Sequence, residues 1–174
     1  IAYEMTNSMN NYTTVASLSG TYTFSKKFEF MARTGVNHSS EERRQQRPYS
    51  TANFMRGYFR EQNVSFFEIN TDGLFTYKDN ITRDIKLTFS AGANTMRRKQ
   101  RLVNGTVDGL VIPGVYKLSN GASVPFHQTA HANKVVNSLY GFAAFSWKDK
   151  IFVDFTGRND WSSTLPPQNN SFFY

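Results

Sequence analysis

The side chains of this 174-residue chain that could do chemistry are few, and most lack the neighbours a reaction needs. His127 and His131 stand four apart, as in a helical zinc pair, but no Glu follows His127 and the adjoining Val124-Pro125-Phe126 has no helical pattern. They read as loop histidines. Asn104-Gly105-Thr106-Val107-Asp108-Gly109 offers oxygen donors in a turn-rich run without the spacing of a calcium loop. Tyr140-Gly141-Phe142-Ala143-Ala144-Phe145-Ser146-Trp147 comes close to an RNA-recognition signature and misses where it counts. Tyr140 stands where a cation must meet phosphate, and Ala144 where an aromatic must stack a base. The net charge of +7 is thus read as solvated loop charge, with Arg43, Arg44 and Arg47 partly balanced by Glu41 and Glu42, and no nucleic-acid partner is expected. The chain has no cysteine, so thiolate nucleophiles and thiolate metal sites are excluded. No nucleophile elbow, phosphate loop or carboxylate pair stands out. The expectation is a protein that is not an enzyme and holds no metal and no cofactor.

Reversible contact with a ligand asks for less. Aromatic faces stack on sugars, and guanidinium groups pair with the carboxylates of peptides. The side chains of these types in the long connections and at the adjoining strand ends are Tyr49, Arg97, Tyr116, Arg158 and Trp161. They are the candidate ligand-binding residues, and their mixture does not choose between glycan and peptide.

The elements that carry them alternate with period two. Ala16, Leu18, Gly20, Tyr22 and Phe24 share one face of a strand against Ser17, Ser19, Thr21, Thr23 and Ser25. After a turn at Ser25-Lys26-Lys27, Phe28, Phe30, Ala32 and Val36 continue the apolar face, opposite Glu29, Met31 and Arg33. A second hairpin sets Phe67, Ile69, Gly73, Phe75 and Tyr77 against Glu68, Asn70, Asp72, Thr76 and Lys78. It turns near Asp79-Asn80 and returns with Ile85, Leu87, Phe89, Ala91 and Ala93. A third runs from Leu139 through Phe145 and Trp147, turns at Lys148-Asp149-Lys150, and returns with Ile151, Val153, Phe155 and Gly157. Polar stretches from Asn37 to about Asn63 and from about Arg97 to Asn133 read as long loops, the first interrupted by Pro48, and a third loop begins at Asp160.

Short turns on one side, long connections on the other and strands of about ten residues are the rhythm of a transmembrane β-barrel. The expected fold class is all-β, an antiparallel transmembrane β-barrel segment of about six strands with short periplasmic turns and long extracellular loops, residues 1–174 forming part of one barrel domain. Charged positions on the polar face, among them Arg33, Asp72, Lys86, Asp154 and Arg158, suit a wet lumen. Tyr22, Phe24, Phe28, Phe75, Tyr77, Phe145 and Trp147 flank the short turns on the apolar face, as an interfacial girdle would. Six strands are fewer than the roughly eight of the smallest closed barrels, so the chain reads as a piece of a longer polypeptide. The other class compatible with the alternation is a soluble all-β sandwich, such as a carbohydrate-binding module of a secreted protein, with the apolar face as its core.

Asn137-Ser138-Leu139-Tyr140-Gly141, continued by Ala144-Phe145-Ser146-Trp147-Lys148-Asp149-Lys150 and Gly157-Arg158-Asn159-Asp160-Trp161-Ser162-Ser163, resembles a barrel segment of the SusC/RagA-like TonB-linked outer-membrane transporters. In that family a similar N-S-[VL]-Y-G strand leads through a K-D-[RK] turn to an R-x-D-[GW]-S-S strand end. Ser90-Ala91-Gly92-Ala93-Asn94 and Gly114-Val115-Tyr116-Lys117-Leu118-Ser119-Asn120 are weaker echoes, and Phe142 and Trp161 depart from the commonest residues. The resemblance implies a plugged barrel of about 22 strands in the outer membrane of a Gram-negative bacterium. It also implies coupling to the TonB complex through parts absent from this chain, a SusD-like surface lipoprotein as partner, and import of large oligosaccharides or peptides.

Overall fold

A computed structural model describes residues 5–174. Seven antiparallel strands lie in one sheet in chain order: β1 (Asn7–Thr23), β2 (Phe28–Thr51), β3 (Phe54–Asn80), β4 (Ile85–Asp108), β5 (Phe126–Trp147), β6 (Ile151–Ser162) and β7 (Ser171–Phe173). Each short turn expected from the alternation joins two of them. In the third, Trp147 pairs with Ile151, and Lys148 and Asp149 both have φ of 52°. The Lys150 N–H donates to the Trp147 carbonyl at 3.0 Å. Two successive left-handed residues give the twist that matches a tight hairpin.

The long connections differ from expectation. The stretch 37–63 is not a loop: β2 continues to Thr51, turns at Ala52-Asn53, and β3 leads back from Phe54. The stretch 97–133 is mostly strand as well, with β4 reaching Asp108, β5 starting at Phe126, and a 3₁₀ turn at Leu118–Asn120 between them. β6 runs to Ser162, and the short β7 adds a seventh strand to the six expected. The physical reason is that these extensions are held by their hydrogen-bond ladder and a small core cluster while most of their positions are exposed, so they carry little apolar alternation to read. Pro48, taken as a breaker, lies near the end of β2, where the Thr51 hydroxyl donates to the Pro48 carbonyl at 2.8 Å. Proline is tolerated at such strand ends.

The chain groups into two compact units drawn from different stretches of these strands. Unit 1 contains 37–67, 99–132 and the first residues of β1. It has a small core of Phe59, Val107 and Leu110, with Tyr49, Tyr116 and Leu118 packed against it. The segment after β4 is pinned by Asn120, which is buried and whose side chain bonds the Ile112 N–H at 3.1 Å, the Ile112 carbonyl at 2.8 Å and the Val115 carbonyl at 2.7 Å. Gly57 is required here. Its φ is +76°, and a Cβ would meet the Arg47 carbonyl and Leu110 Cδ1 at 3.1 Å.

Unit 2 contains 15–36, 68–98 and 133–174. Among the described residues none of its hydrophobic side chains is buried, whereas Asp72, Thr76, Ser90 and Ser138 are. Its apolar face is open: Phe89 is 48% exposed, Val153 38% and Phe155 65%. Near the short turns Phe28 lies 5.8 Å from Phe75 and 5.0 Å from Tyr77, in tilted stacks. The short turns of this unit are tied together by two ion pairs and a backbone hydrogen bond. Lys27 meets Asp79 at 2.7 Å, Lys86 meets Asp149 at 2.7 Å, and the Lys148 N–H donates to the Asp84 carbonyl at 2.7 Å. The hydrogen bond from Lys86 holds the Asp149 carboxyl below the usual carboxylate range, and that to Asp79 raises the Lys27 ammonium above its ordinary value.

Candidate functional site

Strand alternation places Arg33 of β2, Asp72 of β3, Tyr140 of β5 and Arg158 of β6 on the polar face of unit 2. Sequence neighbours cannot bring them together, since Tyr140 is 68 positions from Asp72; the register of the five successive strands β2 to β6 does. Asp72 is the centre. The Tyr140 hydroxyl donates to its Oδ1 at 2.6 Å, and an Arg33 guanidinium N–H donates to its Oδ2 at 3.4 Å. The Asp72 side chain is only 8% exposed, so both oxygens must be satisfied for a charge to sit there. Tyr140 reaches Asp72 by crossing β4 at Gly92. A Cβ at that position would come within 2.5 Å of the Tyr140 ring, so the absent side chain is the space the ring occupies. Thr76 and Ser90 continue the polar face with a buried hydroxyl pair at 3.0 Å.

Arg158 closes the other side. It donates to Asp160 Oδ1 at 2.7 Å and to Ser138 Oγ at 3.1 Å, and its guanidinium lies 6.0 Å from the centre of the Tyr140 ring. Asp160 also accepts from the Tyr174 hydroxyl at 2.9 Å. Between these groups lies an open basin of about 460 Å³, lined by Arg33, Asp72, Tyr140 and Arg158 together with Asn70 and Asn94. The Asn94 amide donates to Asn70 Oδ1 at 2.6 Å. Such a basin offers hydrogen bonds and charge, the contacts that reversible binding uses.

The five sequence candidates are not gathered into one place. Arg158 lines the basin. Trp161 lies on the opposite face, in register with Asn137, where it lines an apolar groove of about 620 Å³ with Phe30, Ala32, Gly73 and Leu139. Arg97 is exposed on β4. Tyr49 and Tyr116 pack on the core of unit 1, and the Tyr49 hydroxyl donates to the Leu110 carbonyl. Their aromatic rings are thus at least partly occupied by packing. Arg33, Asp72 and Tyr140 were not singled out as ligand contacts. The signal that could find them is the alignment of polar-face positions once the three short turns set the register. His127 and His131, expected in a loop, instead lie on strand β5.

No family model matches the chain, and no curated protein matches it in sequence. Solved structures do match in fold. One is the RagAB peptide transporter, with a TM-score of 0.81 and 20% identity, over 99% of this chain and 20% of that one. The RagAB peptide importer in its "closed-closed" state gives 0.82 and 18%, over 96% and 19% of the two chains. Its "open-open" state gives 0.75 and 20%, over 99% and 19%. This chain spans about a fifth of the length of the solved chains it matches. At these identities the likeness is one of fold, and it is that of a RagA-like β-barrel segment.

Proposed function

We propose that the chain is a wall section of an energy-coupled outer-membrane transporter, its apolar face against lipid and its polar face lining the lumen. The observation that carries this reading is the inversion in unit 2, where large apolar side chains stand exposed and the buried positions are polar. That arrangement is costly in water and natural in a bilayer around a wet channel. The fold likeness to the RagAB peptide transporter favours peptides over oligosaccharides as cargo. A SusD-like surface lipoprotein as lid, the TonB complex as energy source through parts outside this chain, and the outer membrane of a Gram-negative bacterium complete the proposal. Of the five candidate contacts, Arg158 is the one whose setting supports ligand binding. A role for Arg97, Trp161, Tyr49 or Tyr116 would rest on the whole barrel and its lid.

The soluble carbohydrate-binding sandwich requires Phe89 and Val153 in a core, and on this single sheet both are exposed. The test is uptake of a labelled peptide by cells that have or lack the full-length protein. Loss of uptake on deletion, restored by the gene in trans, is expected. Equal uptake in both strains would contradict the transport reading.

A further inference from the structure

The polar basin carries an inference about which part of a cargo it takes, one that rests on the transport reading. Its two guanidinium groups are unequally engaged. A guanidinium has five N–H donors. Arg33 uses one on Asp72, at the long distance of 3.4 Å, and is 61% exposed. Arg158 uses two, on Asp160 and Ser138, and is 41% exposed. Asp72 has its oxygens occupied by Tyr140 and Arg33, so it offers little to a ligand amine and serves to hold the ring and the guanidinium in place. The groups lining the basin comprise two cations and one already engaged anion, and Asp160 pairs with Arg158 from beside it, so what the basin offers an anion is not net charge but the guanidinium donors still open, above all on Arg33. Planar guanidinium pairs of this kind match carboxylates, and a site half shielded from water strengthens the match.

We infer that this basin is a carboxylate subsite, in which Arg33 and Arg158 bind an acidic side chain or the C-terminal carboxylate of a peptide cargo. Tyr140 and Asp72 are positioning residues that orient the two cations. The test uses the full-length transporter in detergent and two short peptides of equal length, one acidic with a free C-terminus, the other amidated with Gln in place of each Glu. The acidic peptide is expected to bind wild-type protein about tenfold more tightly. Arg33→Gln should collapse that ratio toward one, and Arg33→Lys should restore part of it. Because Arg158 is tied to Asp160, Arg158→Lys is the second variant, keeping the charge while removing the planar fork. It should lower the ratio without loss of assembly. Equal affinity of wild-type protein for the two peptides, or an unchanged ratio in Arg33→Gln, would overturn the inference and leave the transport reading standing. Stronger competition by inorganic phosphate than by acetate would also overturn it, assigning the cations to a phosphate. Failure of wild-type protein to bind either peptide would sink the transport reading itself.

Discussion

The two units of this chain have opposite interiors. In unit 1 the buried hydrophobic residues are Phe59, Val107 and Leu110, and the buried polar Asn120 makes three hydrogen bonds to backbone. In unit 2 the buried residues are Asp72, Thr76, Ser90 and Ser138, while Phe89, Val153 and Phe155 face outward. One sheet thus follows two solvent rules. Unit 1 hides a small apolar cluster from water, although Met55, Val111, Ile112 and Val124 stay exposed on it. Unit 2 turns its apolar groups out and uses its hydrogen bonds inward, as a segment bathed in lipid does. The boundary coincides with the loss of period-two alternation, at about Asn37 on β2 and about Arg97 on β4.

The sharpest way to break this contrast is to truncate one apolar residue in each unit. Leu110→Ala should cost about 2–5 kcal/mol of local stability, because Leu110 is fully buried between Gly57 and the Tyr49 hydroxyl partner site. Amide hydrogen exchange across 100–122 would rise. Phe155→Ala in unit 2 should change stability little by comparison, since lipid refills the space. An equal loss at both positions would mean that both units keep their apolar groups from water.

A charge on the open face tests the same point from the other side. Val153→Lys in the full-length protein should hinder membrane assembly by about 2–4 kcal/mol near the midplane, read as a lower folded fraction in denaturant titrations in lipid. A smaller effect, about 1–3 kcal/mol, is expected from Gly92→Ala, whose methyl group must displace the Tyr140 ring and with it the bond to Asp72. Intrinsic fluorescence and a titration of Tyr140 would report the displaced ring.

The smallest effect is electrostatic. Asp149 is held below the usual carboxylate range chiefly by its hydrogen bond from Lys86. A carboxylate with a lowered folded-state pKa stabilises the fold above its ordinary pKa, and that contribution is lost as pH falls through the lowered value. Lys86→Gln should move the Asp149 titration up toward the ordinary range, with little change in stability at neutral pH because the pair is exposed. Carboxyl NMR shifts against pH would show it, and an unmoved titration would contradict the pairing.

Much of unit 2 is legible in the amino-acid order because one face answers to a single apolar environment. Ile69 to Tyr77 and Ile85 to Ala93 alternate almost without fault, and the turn at Lys148-Asp149-Lys150 stands where the alternation reverses. Unit 1 is not legible in that way. Its strand extensions carry Glu41, Glu42, Arg43 and Arg44 on both faces, which looks like loop, and its core residues lie inside those stretches. Tyr49 and Tyr116 read as ligand contacts in the sequence for the same reason: the apolar cluster they pack on depends on pairings absent from local sequence. The basin was half visible. Arg158 could be named from its strand end, but its relation to Arg33 and Tyr140 exists only once β2 to β6 are in register.

The central claim is that adjacent residues of unit 2 face lipid and water in turn, and accessibility labelling tests it most directly. The chain has no cysteine, so Phe155→Cys and Asp154→Cys in the full-length protein, freed of any cysteine elsewhere, would each carry one label. After reconstitution, the label at 155 should respond to a membrane-dissolved quencher and the label at 154 to a water-soluble one. Quenching of both labels from water alone would contradict the account and return the apolar face to a soluble protein.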